Sequence, residues 1–279
     1  MWVGIVSESF QSSLAGKRVV ITRVAAQSEN LARELSARGA TPVVFPLVSF
    51  AEPDDFAPLD RAIAEVRQFD WLILTSAQAV RAVVERATDL QQPLVRTEGR
   101  LRVACVGPVT ADSARKADLP VEYVAVTHNG VALANELGSK LQGAKVLLPR
   151  SDRANPDLPR ALTRFGAQVT EVIAYRTLRP AETNQDELKR IVNGQADAIL
   201  FFSPSAVQHF AGLAGAGQLP AIQGKLAITA VGPVTATALR ESGVQSAVVA
   251  QDTTVVSVVE ALEEYFAAAK TAPAGAKRA

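Results

Sequence analysis

The 279-residue sequence has one cysteine, Cys105, and only two histidines, His128 and His209. One thiol forms no internal disulfide, which fits a reducing cytosol. The apolar run around Cys105 marks it as a small buried hydrophobe and not a nucleophile. Two histidines with no Cys/His spacing leave no recognisable metal site. Neither sign of charge is in excess. The formal net charge is +1, so no global field favours nucleic acid or a membrane surface. No apolar stretch is long enough to span a bilayer. Residues 1–15 lack a basic segment followed by an apolar core, so no secretory signal is expected and a cytoplasmic location is. They read as a loose extension, and the alanine-, proline- and lysine-rich 270–279 should fray. Nucleotide signatures are missing too. No Gly-x-Gly-x-x-Gly follows a strand, which argues against a nicotinamide cofactor.

What the sequence does contain, twice, is one loop. Gly-Pro-Val-Thr stands at 107–110 and again at 232–235, each time after an apolar run and before an alanine-rich helical pattern. That order predicts a buried strand, a tight turn and a helix opening at the turn. Gly107 and Gly232 would let the backbone turn sharply or lie close to a ligand. Pro108 and Pro233 suit a first helical turn, where a missing N–H costs nothing. Free N–H groups at such a helix start attract anions. The lysine of a P-loop is absent from both copies.

The two loops, 125 positions apart, belong to a longer repeat. The pairs Arg23/Arg150, Leu31/Leu158, Leu35/Leu162 and Gly39/Gly166 each differ by 127 positions, as do the strand-like runs 70–76 and 197–203. A period of this length is a whole-domain duplication and not a solenoid repeat. Each copy alternates about five strands with helices. Near-continuous apolar strands predict parallel sheets covered on both faces, and the flavodoxin-like order is the natural expectation. A chain of this length and 48% apolar residues can bury two such cores. Two partitions are compatible with the repeat: contiguous halves cut near Gly143, or an exchange in which the chain starts one domain, builds the other, and returns. In the second case the overlong strands 45–50 and 173–178 would be paired crossing segments.

Ligands of such sheets sit beyond the carboxyl ends of the strands. Those ends carry Arg23, Ser76, Gly107, Thr110, Asn129, Gly130, Arg150, Ser203, Gly232, Thr235, Thr253 and Thr254. Ser76 and Ser203 suit helix caps, and no histidine recurs in both copies to activate them. Thr110 and Thr235 lie one turn into their helices, where a hydroxyl commonly bonds the local backbone. The matched placement of Arg23 and Arg150 favours an anion-facing role. His128 reads as a solvated loop residue, and Tyr175 as a strand residue notable for its place in a crossing segment. The residues by themselves describe two α/β domains presenting hydroxyls, two arginines and helix starts to a multiply charged anion. A non-catalytic sensor of a polyanionic metabolite fits that description as well as an enzyme does.

At these residues the chain resembles the uroporphyrinogen-III synthase family. The matching stretches are Thr22 with Arg23, 46–50, Thr75 and Ser76 with Ala79 and Val80, both Gly-Pro-Val-Thr loops, 147–150, 174–177, and 201–205 with Ser203 and Ser205. The resemblance spans residues 16 to 266. It implies closure of the linear tetrapyrrole hydroxymethylbilane to uroporphyrinogen III, with inversion of the last pyrrole ring and loss of water. No cofactor and no metal are implied. The substrate is a polycarboxylate, and a monomer with no nucleic-acid or membrane partner is expected. The resemblance also selects the exchanged partition: two flavodoxin-like parallel-sheet domains from a duplication, linked by a two-stranded β connection. One domain would hold 1–47 and 176–279, the other 48–175. Tyr175 is then implied to help the hydroxyl leave, and Thr235 is implicated in catalysis as well. Substrate contacts are expected from Thr22, Arg23, Thr75, Ser76, Gly107, Thr110, Asn129, Gly130, Arg150, Ser203, Ser205, Gly232 and Thr254.

Overall fold

The computed structural model describes residues 12–94, 101–215, 217–250 and 254–271. In chain order it runs through β1 (Arg18–Ile21), α1 (Ala25–Ala37), β2 (Thr41–Val44), β3 (Ser49–Ala51), α2 (Ala57–Ala64), β4 (Trp71–Leu74), α3 (Ala77–Asp89), β5 (Arg102–Cys105), α4 (Pro108–Lys116), β6 (Val121–Val124) and α5 (Gly130–Leu137). The second half has β7 (Lys145–Ser151), α6 (Asp157–Arg164), β8 (Gln168–Leu178), α7 (Gln185–Val192), β9 (Ala198–Phe201), α8 (Pro204–Ala214), α9 (Gln218–Ala221), β10 (Ala227–Val231), α10 (Pro233–Glu241), β11 (Val248–Ala250) and α11 (Val255–Thr271). Two compact units result. Among the described residues, one holds the chain up to Val48 and from Pro180 onward, and the other lies within Ser49–Arg179.

The first unit is a parallel sheet in the order β2-β1-β9-β10-β11. Counted within the unit this is 2-1-3-4-5, the flavodoxin-like order. The second has β8-β7-β4-β5-β6 parallel, with β3 added antiparallel at the β8 edge. Taking β7 as its first strand gives 2-1-3-4-5 again. Each half of the duplication thus supplies strands one and two to one unit and three to five to the other. The register repeats as well. Val19 pairs with Ala198 and Val146 with Trp71, while Arg18 pairs with Thr41 and Lys145 with Gln168. Corresponding members of these pairs are 127 positions apart.

The cores follow from strand alternation. In the second unit Leu72, Leu74, Val103, Cys105 and Leu147 join one cluster, and Trp71, Ile73, Ala104, Val146 and Leu148 join another. Successive residues point to opposite faces, so both faces carry apolar side chains and both are covered. In the first unit Val19, Ile21, Ala198 and Leu200 pack with Leu31 and Leu35 of α1 and Val258, Val259 and Leu262 of α11. Gly39 and Gly166, at positive φ of 79° and 84°, follow the C-caps of α1 and α6. A left-handed residue there closes the last turn, and glycine adopts it without a Cβ clash.

Three expectations need correction. Residues 45–50 are not one strand: β2 ends at Val44 and β3 begins at Ser49. Pro46 has no N–H for a ladder. The intervening backbone is held instead by Phe45 N–H to Ile21 O (2.9 Å), Leu47 N–H to Thr22 O (3.1 Å), and a 2.6 Å bond between His209 Nδ1 and Leu47 O. The return to the first unit comes after Arg179, not at 176, because 176–178 pair with β3. Residues 12–15 are not loose. Leu14 is fully buried, Ser12 Oγ donates to Glu263 Oε1 (2.8 Å) and Ser13 Oγ to Glu263 O (2.8 Å). Burying a leucine is worth about 1.5–3 kcal/mol, enough to fix this turn on α11. The rest of the expected N-terminal extension, Thr253, and 272–279 lie outside the described residues.

Candidate active site

In the parallel sheet of each unit all strands end on one edge, so the residues just after them share that edge. In the second unit the edge carries Thr75 and Ser76 after β4, Gly107 and Thr110 after β5, Asn129 and Gly130 after β6, Arg150 near the end of β7, and Tyr175 on β8. In the first it carries Thr22 and Arg23 after β1, Ser203 and Ser205 after β9, Gly232 and Thr235 after β10, and Thr254 before α11. Tyr175 and Thr235 therefore belong to different units.

The structure brings Tyr175 and Ser76 into direct contact, with hydroxyl oxygens 3.1 Å apart. Ser76 also caps α3, accepting from Ala79 N–H at 3.0 Å. Tyr175 is 8% exposed, and the Phe50 ring packs edge-on against it, centroids 5.5 Å apart. Burial raises the phenol's pKa above its usual value, while the Ser76 bond and the positive charge of Arg150 pull it back and Asp152 raises it further. The phenol is thus protonated at neutral pH and able to donate.

The two arginines are equivalent in sequence but not in setting. Arg150 lies within β7 and is 4% exposed. Its Nη1 donates to Glu171 Oε1 at 3.2 Å and its Nη2 to Asn155 O. Burial lowers its pKa, against the opposing pull of Glu171. Its Nε is buried with no hydrogen-bond partner among the described residues. Arg23 is half-buried, its guanidinium 4.5 Å from the centroid of the Phe202 ring. Burial lowers it to about 10, so it is cationic at neutral pH.

The hydroxyls divide by role. Thr22 is buried and its Oγ1 donates to Leu200 O (2.7 Å), which ties β1 to β9. Ser203 caps α8 by accepting from Ala206 N–H (3.2 Å), and Asn129 caps α5 by accepting from Ala132 N–H (2.8 Å). Thr254 Oγ1 accepts from Ser257 N–H (3.2 Å) at the start of α11. Thr110 and Thr235 are buried one turn into α4 and α10, while Thr75 and Ser205 are half-buried. Pro108 and Pro233 occupy the first helical positions.

The glycines are not alike. Gly232 has φ 87° and ψ 156°, a conformation left almost entirely to glycine. Gly107 has φ −163°, extended backbone open to any residue, so the expected need for a special turn is not met there. A Cβ on Gly107 would meet the His128 side chain in ordinary contact, its Cβ at 3.6 Å and the ring Cγ at 3.7 Å. Gly130 is small for packing: a Cβ would come within 3.0 Å of Leu158 Cβ. The sequence reading passed over Ser151, Asp152 and Thr177, which bond one another beside Tyr175. Apart from the place of Thr177 in the 174–177 stretch, their sequence signal was nearness to Arg150 and Tyr175.

A profile described as Uroporphyrinogen-III synthase HemD matches residues 29–260. The chain belongs to the uroporphyrinogen-III synthase family. Among its relatives, the uroporphyrinogen-III synthase of Synechococcus elongatus is 32% identical over 265 residues, covering 91% of this chain and 97% of that one. The chloroplastic uroporphyrinogen-III synthase of Oryza sativa is 27% identical, covering 82% and 74%. The fold is also that of a mutant uroporphyrinogen III synthase from Thermus thermophilus, with a TM-score of 0.62 at 22% identity over 91% of this chain and all of the other. Family membership makes the chain an enzyme of tetrapyrrole biosynthesis, cyclising hydroxymethylbilane to uroporphyrinogen III. Among the described residues no helix is long and apolar enough to cross a membrane.

Proposed function

We propose that this family member catalyses ring closure mainly by positioning, with Tyr175 assisting the departure of the hydroxyl. The observation that supports this is the buried Tyr175 phenol 3.1 Å from Ser76. Ser76 Oγ already accepts from a helix N–H, so its own proton is available for the tyrosine oxygen. The phenol proton is then left for the substrate. The C–O bond of the terminal hydroxymethyl group breaks, its electron pair leaving with oxygen as water, while the pyrrole nitrogen supplies electrons and a protonated azafulvene, a cation, forms. The substituted α-carbon of the last ring attacks it, and the spiro intermediate fragments and recloses inverted. Loss of a ring proton restores aromaticity and returns the proton that left with water. An unperturbed phenol is a weak acid and burial weakens it further, so Tyr175 contributes a hydrogen bond to the leaving oxygen and holding the curled chain contributes more.

The carboxylates of the substrate are assigned to the helix starts at Gly107, Asn129, Ser203, Gly232 and Thr254, to the hydroxyls of Thr75, Thr110 and Ser205, to the N–H of Gly130, and to the two arginines. Thr22 Oγ1 donates to Leu200 O and Ser76 Oγ faces Tyr175, so these two expected contacts are assigned to holding the site's backbone and the phenol. Arg150 Nε, a buried donor with no partner among the described residues, supports its place in that set. Thr235, buried at the start of α10, is assigned to the reaction itself. The protein is further proposed to act as a cytoplasmic monomer; its sole cysteine is buried as a free thiol, in keeping with a reducing compartment.

The test is single-turnover closure of fresh hydroxymethylbilane, with the ratio of isomers III to I measured. Tyr175→Phe is expected to slow closure by about 10²–10⁴-fold or less, the range for a lost general acid. Thr235→Ala should cost a similar or smaller factor. Complete loss of turnover in folded Ser76→Ala or Cys105→Ser would mean covalent catalysis and end the positioning account.

A further inference from the structure

Alternation along β8 fails at one place. Its pairing with β7 proceeds residue by residue from Lys145↔Gln168 to Arg150↔Ile173, and the next pair is Ser151↔Tyr175. Ala174 is therefore an extra residue on β8, a bulge. A one-residue shift sends every later side chain to the opposite face. Burial follows the shift. Val172, Ala174 and Tyr175 all join one core cluster, while Ile173 is 49% exposed. Without the bulge Tyr175 would share the face of Ile173, away from Ser76.

Something must hold β8 where the bulge ends, because β7 stops at Ser151 and no further carbonyl continues the ladder. Asp152 fills that place. Its N–H donates to Tyr175 O (3.2 Å), and its Oδ1 accepts from Thr177 N–H (2.8 Å). It thus grips the strand on both sides of Arg176. Ser151 Oγ donates to Asp152 Oδ1 (3.0 Å) and lies 2.8 Å from Thr177 Oγ1, which fixes the carboxylate. On the other side of β8, Phe50 pairs with Thr177 and sets its ring against Tyr175.

We propose that Asp152 is a positioning residue for ring closure: it locks the β8 bulge and so sets the Tyr175 hydroxyl on Ser76. The inference rests on the role assigned above to Tyr175. Asp152 is itself exposed, which makes a purely stabilising role a poor account of its three bonds.

The chain has three tyrosines, so ¹³Cζ-tyrosine labelling of the whole protein gives three resonances, and Tyr175→Phe assigns one to Tyr175. Asp152→Ala is expected to lower kcat by about 10–100-fold with KM little changed, and to move the Tyr175 resonance. Asp152→Asn keeps an acceptor oxygen for Thr177 and should restore both. In the Tyr175→Phe background Asp152→Ala should add no further loss. Ser151→Ala, which leaves Asp152 in place, should move the same resonance by less and serves if Asp152→Ala does not fold. Wild-type kcat in Asp152→Ala while Tyr175→Phe is slow, additive losses in the double variant, or an unmoved Tyr175 resonance in the folded Asp152 and Ser151 variants would overturn the role of Asp152 and leave that of Tyr175 intact. Wild-type turnover in Tyr175→Phe would instead remove the premise, and this role with it.

Discussion

Cys105 ends β5 with no exposed surface, and burial pushes its thiol up to about 12 from 9.0. A thiolate there would sit among Leu72, Leu74 and Val103. Thiol reagents should leave the native protein unlabelled at pH 8 and react on unfolding. The linkage runs in one direction. Between about pH 9 and 12 the unfolded chain has released this proton and the folded chain has not, so stability falls as pH rises, by at most about 1.4 kcal/mol per pH unit. Burial of Tyr175 acts with the same sign, so the comparison that isolates the cysteine is urea unfolding of Cys105→Ser beside the parent. Equal alkaline slopes in the two proteins would refute the assignment. Arg150 makes a second residue-scale prediction. Arg150→Ala should raise KM more than it lowers kcat, by on the order of tenfold, since a hydrogen bond to a charged group is worth about 1.5–3 kcal/mol. Its partner Glu171 was not legible, because nothing in the sequence says that a polar residue 21 positions on lies against it.

Among the elements, the two Gly-Pro-Val-Thr turns looked interchangeable and are not. Both open helices at their prolines, as the spacing required. Only Gly232 occupies a backbone region that a Cβ forbids. Gly232→Ala should therefore destabilise by about 1–3 kcal/mol, and Gly107→Ala by much less, in matched denaturant melts. Similar losses at the two sites would show that φ is not what distinguishes them. Caps were readable from local chemistry: Ser76, Ser203 and Asn129 each precede a helical pattern and each accept an N–H three residues on. The bulge in β8 was not. Nothing in residues 172–176 departs from strand composition, and the extra residue exists only relative to β7.

For the whole molecule, the exchange of strands sets what can fold alone. A cut near Gly143 gives each fragment strands from both sheets and a complete set for neither. Fragments 12–142 and 143–271 expressed separately should lack cooperative unfolding and dispersed amide resonances. Residues 49–179 contain all six strands of one sheet and both of its core clusters, so that fragment should fold. The reverse result would contradict the partition.

The duplication was visible in the sequence because it is a matter of matching residue types at a fixed offset, and parallel strands announce themselves as apolar runs covered on both faces. The residues at the strand ends were visible for the same reason: the polar groups that break the apolar pattern collect there, and few others interrupt it. Which half supplies which strand was open, because the period of 127 fits contiguous and exchanged halves equally. The family resemblance pointed to the exchange and the strand order of the two sheets shows it, whereas only tertiary structure decided the break at Pro46, the ion pair of Arg150 with Glu171, and the turn of Tyr175 toward Ser76. Each of these depends on contacts between residues far apart in the chain, where local propensity carries no information and packing chooses.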